Sequence, residues 1–261
     1  MIDFHTHTSL SFDSESSPQD MLSAAIAKGL HEICFTDHFD YHEYPDGEHF
    51  IFTVEDYRKV YDALSSDKIL IRRGIEAGLT LWNKERLNDF LNSYPFDYVI
   101  GSIHYANGCD PYFKKYWENC TVKEAFESYL LRTLECVKIH DNFDALGHLT
   151  YVCKSPNSPT HEPLLYKDFS DIIDEILRVI ISKDKALEVN TSGYLAVGEP
   201  LPNEDIIKRF KELGGEKIII GSDAHTPERV GQYQTEVLEL IKGYFPYVCS
   251  FEKRKPIYHK L

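Results

Sequence analysis

His5 and His7 stand two residues apart in Asp3-Phe-His-Thr-His7. An extended chain points residues i and i+2 to the same side, so both imidazoles can reach one centre. Asp223 and His225 repeat the spacing near the other end of the chain. Between them lie Asp37-His38, Gly74-Ile-Glu76, Gly101-Ser-Ile-His104, Gly147-His148 and Glu188-Val-Asn190, each at the end of a short apolar run. Imidazole nitrogens and carboxylate oxygens are ligands for Zn, Mn or Fe(II), and a carboxylate such as Glu76 can bridge two ions. One His-X-His pair arises by chance. Seven apolar runs that all end in His, Asp or Glu do not, and they predict a polynuclear metal site. His31, His42, His49, His140, His161 and His259 fall outside the pattern and read as surface or loop residues, with His42 and His161 placed where they could also touch substrate.

Those seven clusters need a scaffold that brings them to one edge. The runs at 1–4, 32–36, 68–75, 97–103, 144–147, 185–189 and 217–220 are short and nearly continuously apolar, as in Tyr98-Val-Ile and Ile218-Ile-Ile. This is the signature of parallel strands buried on both faces. Helical patterns alternate with them. Ser17-Pro18 caps one helix and Gly29 closes it; Thr53-Val-Glu-Asp56 and Thr121-Val-Lys-Glu124 read as capping boxes. Asn203 opens another helix, and Thr226-Pro227-Glu228 predicts a last long helix reaching about Ile241. Seven βα units fit a single (β/α) barrel one unit short of eight, with a doubly wound open sheet as the alternative. In a barrel the C-terminal strand ends converge on one pocket whatever their separation in sequence. Irregular stretches at 40–52 and 154–166 follow strand ends, where insertions shape active sites.

The chain has 261 residues with 42 acidic and 28 basic side chains, a net charge of −14. That balance argues against nucleic acid as a partner, since a basic footprint is absent. No apolar run approaches the ~20 residues that span a bilayer, and the N-terminus lacks a signal-peptide pattern. Membranes are therefore not an expected partner either. The six cysteines (34, 109, 120, 136, 153, 249) show no Cys-X-X-Cys pairing and read as free thiols in a cytoplasmic protein. The sequence leaves the oligomeric state open.

The series HTH, TDH, GIE, GSIH, GH, EVN and GSDAH resembles the polymerase-and-histidinol-phosphatase (PHP) family of metal-dependent phosphoesterases, from residue 1 to about residue 255. The resemblance implies an α/β fold, a distorted seven-stranded (β/α)7 TIM-like barrel with its metal site at the C-terminal strand ends, in one domain over 1–261. It implies three divalent transition-metal ions, Zn, Mn or Fe. His5, His7, Glu76 and Asp223 would hold the first. Glu76 would bridge to a second, completed by His104 and His148. Asp13, His38 and His225 would hold the third, Asp13 occupying a position where the family carries His or Asp. Asp37 would orient a ligand, and Asn190 would lie nearby. Asp37, Asp223 and His225 form the candidate catalytic group.

The chemistry implied is phosphomonoester hydrolysis, with cations acidifying a bridging water and clamping phosphate oxygens. Within the family, GSIH, EVNTSG and residues 251–256 resemble the stand-alone type that acts on L-histidinol phosphate in histidine biosynthesis. The expected partner is thus a small phosphate ester. Lys154 is the first candidate for binding its phosphate, with Arg254 and Lys255 next. His42, and the acidic loop residues Asp40, Glu43, Asp46 and Glu48, could meet the rest of the substrate. Other phosphoesters, or a non-catalytic metal-binding role, are the alternatives.

Overall fold

The computed structural model describes residues 1–41 and 50–261. Seven parallel strands form a nearly closed barrel: β1 (Ile2–Thr6), β2 (Glu32–Phe35), β4 (Leu70–Gly78), β5 (Tyr98–Ser102), β6 (Ala145–Leu146), β7 (Ala186–Asn190) and β8 (Ile218–Gly221), paired in that order. A short β3 (His38–Phe39) follows β2 and also pairs with β4, His38 opposite Glu76. The strand positions follow from burial on both faces. Ile33, Cys34, Ile75, Val99, Leu146, Leu187 and Ile218 are all fully buried, so the runs carry no polar alternation.

Closure decides between a barrel and an open sheet. Thr6 bridges Ala224 in parallel fashion, the Asp223 N–H donates to the His5 carbonyl at 2.7 Å, and the His7 N–H donates to the Ala224 carbonyl at 2.8 Å. Lower down, the fully buried Asp3 carboxylate spans the seam, accepting from Ser222 N (2.9 Å), Ser222 Oγ (2.6 Å) and Gly231 N (2.7 Å). Burial pushes the Asp3 carboxyl up, and these hydrogen bonds oppose the shift.

The helices cover the barrel. α1 (Pro18–Ala27) begins at Ser17, whose hydroxyl accepts from Asp20 N at 3.1 Å, and Gly29 turns the chain out at φ +72°. α2 (Val54–Tyr61) and α4 (Val122–Ile139) begin with the capping boxes Thr53/Asp56 and Thr121/Glu124. α3 (Lys84–Asn92), α5 (Ser170–Ser182), the single turn α6 (Gly193–Ala196) and α7 (Glu204–Glu212), capped by Asn203, complete the series up to β8.

Two expectations fail. The long helix from Thr226 is broken: Pro227–Arg229 forms one 3₁₀ turn, and α8 runs only over Gln234–Ile241. Gly231 and Tyr233 take φ of +65° and +53° between them, which turns the Gly231 N–H onto Asp3. The C-terminal segment is an antiparallel hairpin, β9 (Tyr247–Glu252) with β10 (Lys255–Lys260). It is set against the base of the barrel, where the Arg254 N–H donates to the Asp97 carbonyl at 2.9 Å and its guanidinium pairs with Asp144. Asp97 and Asp144 immediately precede β5 and β6. Arg254 and Lys255 are therefore at the N-terminal end of the strands, remote from the predicted site, and the expectation that they bind substrate is corrected. All six cysteines are free. Among the described residues, no helix is long and apolar enough to cross a membrane.

Candidate metal centre

Glu76, near the end of β4, is fully buried and organises the C-terminal face of the barrel. Its Oε2 faces His5 Nε2 at 3.1 Å, His7 Nε2 at 3.4 Å and His38 Nδ1 at 3.0 Å. Its Oε1 faces His104 Nε2 at 3.2 Å and His148 Nε2 at 2.9 Å. One carboxylate thus touches imidazoles delivered by three strand ends and β3, with its two oxygens turned to two different sets. Asp223 Oδ1 lies 3.3 Å from His7 Nε2 and 3.8 Å from His5 Nε2. Asp13 Oδ2 approaches His225 Nε2 at 3.1 Å and His38 Nε2 at 3.5 Å, and the His7 ring stacks between those of His38 and His225 at 4.3 and 4.1 Å.

Several of these atoms face one another without hydrogen-bond alignment. His5 Nε2, His7 Nε2, His38 Nδ1 and Glu76 Oε2 are buried and have no hydrogen-bond partner. Buried polar atoms without partners are costly. Here they converge: His5, His7 and Asp223, then His5, Glu76 and His148, then His7, His38 and His225, and also His38, Asp40 and His104, offer donor atoms within 4.8 Å of one another. That donor set suits divalent cations of the Zn, Mn and Fe(II) class. Burial alone would neutralise Glu76, but His5, His38 and His104 hold its carboxyl well below the usual range. Burial likewise opposes charge on His104, yet Asp40 and Glu76 push its imidazole up to about 10.

Further carboxylates hold the imidazoles in place. Asp37 is fully buried, and its oxygens accept from Thr8 N (2.6 Å), Ser11 Oγ (2.8 Å) and the Tyr61 hydroxyl. Ser11 Oγ in turn lies 3.1 Å from His7 Nδ1. Glu188, which the sequence places at a strand end but to which it assigns no role, has Oε1 2.6 Å from His5 Nδ1 and accepts the His148 N–H on Oε2 at 2.6 Å. It shares a strand face with Asn190 at i, i+2, whose amide reaches Asp223 Oδ2 at 3.4 Å. Asp40 is corrected from a substrate-facing loop residue to a buried support: its Oδ1 is 2.9 Å from His104 Nδ1, and its exposure is 2%. Lys154 reaches the centre, where its ammonium contacts Asp223 Oδ2. His42, Glu43, Asp46, Glu48 and His49 lie outside the described residues. His161 is exposed, and His140 is buried rather than on the surface, with Nε2 2.7 Å from the Thr80 carbonyl.

The PHP domain family matches residues 3–192, which hold every strand up to β7 and the ligand-type residues from His5 to His148. The chain belongs to the PHP family. This PHP chain is 34% identical over 255 residues to a probable histidinol-phosphatase of Clostridium acetobutylicum, covering 97% of the chain and 98% of that protein. It is 36% identical to a histidinol-phosphatase of Lactococcus lactis, covering 87% and 85%. A crystal structure of the Lactococcus lactis histidinol phosphate phosphatase, complexed with Zn, L-histidinol and phosphate, superposes on it with a TM-score of 0.91 at 34% identity, covering 98% of both chains.

Proposed function

We propose that this chain is a metal-dependent phosphomonoesterase that converts L-histidinol phosphate to L-histidinol and inorganic phosphate in histidine biosynthesis. The observation that carries the reading is full-length likeness to a phosphatase holding Zn, L-histidinol and phosphate, combined with the same kind of donor cluster at the strand ends here. In this reading one unit spanning 1–261 holds three divalent cations. His5, His7, Glu76 and Asp223 serve the first; Glu76, His104 and His148 the second; Asp13, His38 and His225 the third.

Such cations supply Lewis-acid polarisation of the phosphoryl group and an acidified water. The chain's own residues do the rest. Glu188 fixes the His5 ring and the backbone that carries His148, while Asp37 acts through Ser11 on His7 as a positioning residue. Asp223 Oδ1 and His225 Nδ1 are 3.6 Å apart, so the residues serving the first and the third cation are neighbours. Lys154, with side-chain exposure of 28%, presents its ammonium to the phosphate from beside Asp223. Burial works against the charge of Lys154, and Asp223 outweighs it, so the ammonium keeps its proton. A cytoplasmic seat accords with six free thiols.

The test is a panel of phosphomonoesters assayed with protein loaded separately with Zn and with Mn. L-Histidinol phosphate is expected to exceed nucleotide 5′-monophosphates, phosphotyrosine and p-nitrophenyl phosphate by at least about tenfold in kcat/KM, or ~1.4 kcal/mol. Preference for another ester overturns the substrate. Absence of turnover at full metal occupancy overturns the enzyme.

A further inference from the structure

Asp110 lies in the connection between β5 and α4, on the same face of the barrel as His104. It is 9% exposed. Its Oδ1 accepts from the Tyr112 N–H at 2.7 Å and from the Tyr151 hydroxyl at 3.2 Å. Both donors are neutral, and Asp110 forms no ion pair among the described residues. The other carboxylates around the cluster are engaged differently. Glu76, Asp223, Asp13, Asp40 and Glu188 each face an imidazole or the Lys154 ammonium. Asp37 also meets only neutral donors, but it is fully enclosed with both oxygens occupied. Asp110 alone among these combines a hydrogen-bonded Oδ1, an Oδ2 without a hydrogen bond from any described residue, and a charge without a directly contacting ion-pair partner among the described residues.

Its distance from the chemistry is set by Tyr151. That ring packs against His104 and His148 with centroids 5.2 and 5.0 Å away, and its hydroxyl reaches back to Asp110. The carboxylate therefore stands one tyrosine away from the imidazoles of the second cation. In L-histidinol phosphate the ammonium is carried on the carbon next to the ester carbon. With the phosphoryl group at the cluster, that ammonium stays within a single side chain's breadth of it, while the imidazole extends farther out.

We propose that Asp110 is the specificity-determining residue that seats the substrate's ammonium, with Tyr151 and the Tyr112 N–H holding Oδ1 so that Oδ2 faces the cation. This rests on the histidinol-phosphatase reading above. Burial pushes the Asp110 carboxyl up to about 6, which leaves it ionised at neutral pH. A charged hydrogen bond to a pre-held carboxylate discriminates strongly against a substrate that lacks the donor.

The experiment compares L-histidinol phosphate with its desamino analogue, 3-(imidazol-4-yl)propyl phosphate, on the metal-loaded wild type and on Asp110→Asn. The wild type is expected to prefer the amine by about 30-fold in kcat/KM, in the range of a charged hydrogen bond. Asp110→Asn is expected to bring that ratio to within about threefold of unity, leaving turnover of the desamino analogue within threefold of wild type. Asp110→Ser keeps an oxygen for the Tyr112 N–H and is the second variant if the first does not fold; it should lose the preference in the same way. A ratio that persists in either folded variant overturns the assignment. So does a parallel loss on both substrates, which marks a structural role. Wild-type enzyme that shows no preference for L-histidinol phosphate over p-nitrophenyl phosphate overturns the functional reading itself, a different outcome from a preference that survives removal of Asp110.

Discussion

A carboxylate beside an imidazole can share a cation with it or merely hold its ring, and Glu76 and Glu188 divide these tasks on either side of His5. Glu76 meets Nε2 and Glu188 meets Nδ1, at 3.1 and 2.6 Å. Glu188→Gln leaves one acceptor oxygen for two donors, His5 Nδ1–H and the His148 N–H. Loss of such a supporting carboxylate costs 10–100-fold in metal affinity, so competition with a chelator should show a drop of about that size, with the fold intact by circular dichroism. Unchanged affinity would reduce Glu188 to packing. Most of the ligand-type residues were legible in the sequence because they stand at strand ends, where period-two geometry and barrel convergence fix their direction; Asp13, seven residues past the end of β1, was marked only by the family resemblance. The supports were not. Glu188 lies 183 residues from His5, and Asp40 lies 64 from His104, so no local pattern marks the pairing. Lys154 was legible by position alone, just past His148. Lys154→Gln is expected to lower kcat/KM about 30-fold, the scale of a lost charged hydrogen bond, and a loss below threefold would remove it from the phosphate site.

At the level of elements, small residues let strands approach one another beneath the cluster. A Cβ built on Gly221 of β8 would lie 2.3 Å from His5 Cβ and 2.4 Å from Glu188 Oε1. Gly221→Ala must push β8 from β1 or displace the Glu188–His5 pair; overpacking of this kind costs about 1–3 kcal/mol. We expect a lower unfolding temperature together with a loss of kcat well beyond the fall in stability. A variant with normal kcat would mean the seam is softer than its geometry. The strands and capped helices were readable because apolar runs and capping boxes are local. The break before α8 was not, since it depends on Asp3 recruiting Gly231 from 228 residues away. The β9–β10 hairpin was hidden for a related reason: charges in its turn look like a cationic loop until the base of the barrel claims them. Arg254→Ala should therefore leave kcat/KM within about twofold while lowering stability by ~1 kcal/mol, the value of a half-exposed charged contact.

The whole barrel concentrates its buried polar groups at one end, and its stability should follow what fills them. Without cations, His5 Nε2, His7 Nε2 and Glu76 Oε2 are buried without an aligned hydrogen bond, a cost the folded state bears and the unfolded chain does not. A ligand that binds only the folded state stabilises it by RT ln(1 + [L]/Kd), about 2.7 kcal/mol at a hundredfold excess over Kd. For a domain of this size each kcal/mol moves the midpoint by roughly 2–4 °C, so saturating Zn or Mn should raise the unfolding temperature of chelator-stripped protein by about 5–10 °C. Imidazoles must shed protons to accept a cation, so the gain should shrink as the pH is lowered from 8 to 6. Differential scanning calorimetry with and without metal at the two pH values checks both statements. A midpoint indifferent to metal would mean that these donors satisfy one another after all, and the convergence of the seven strand ends would then need an explanation other than cations. A gain that grew toward low pH would show that binding takes place at groups other than the histidines.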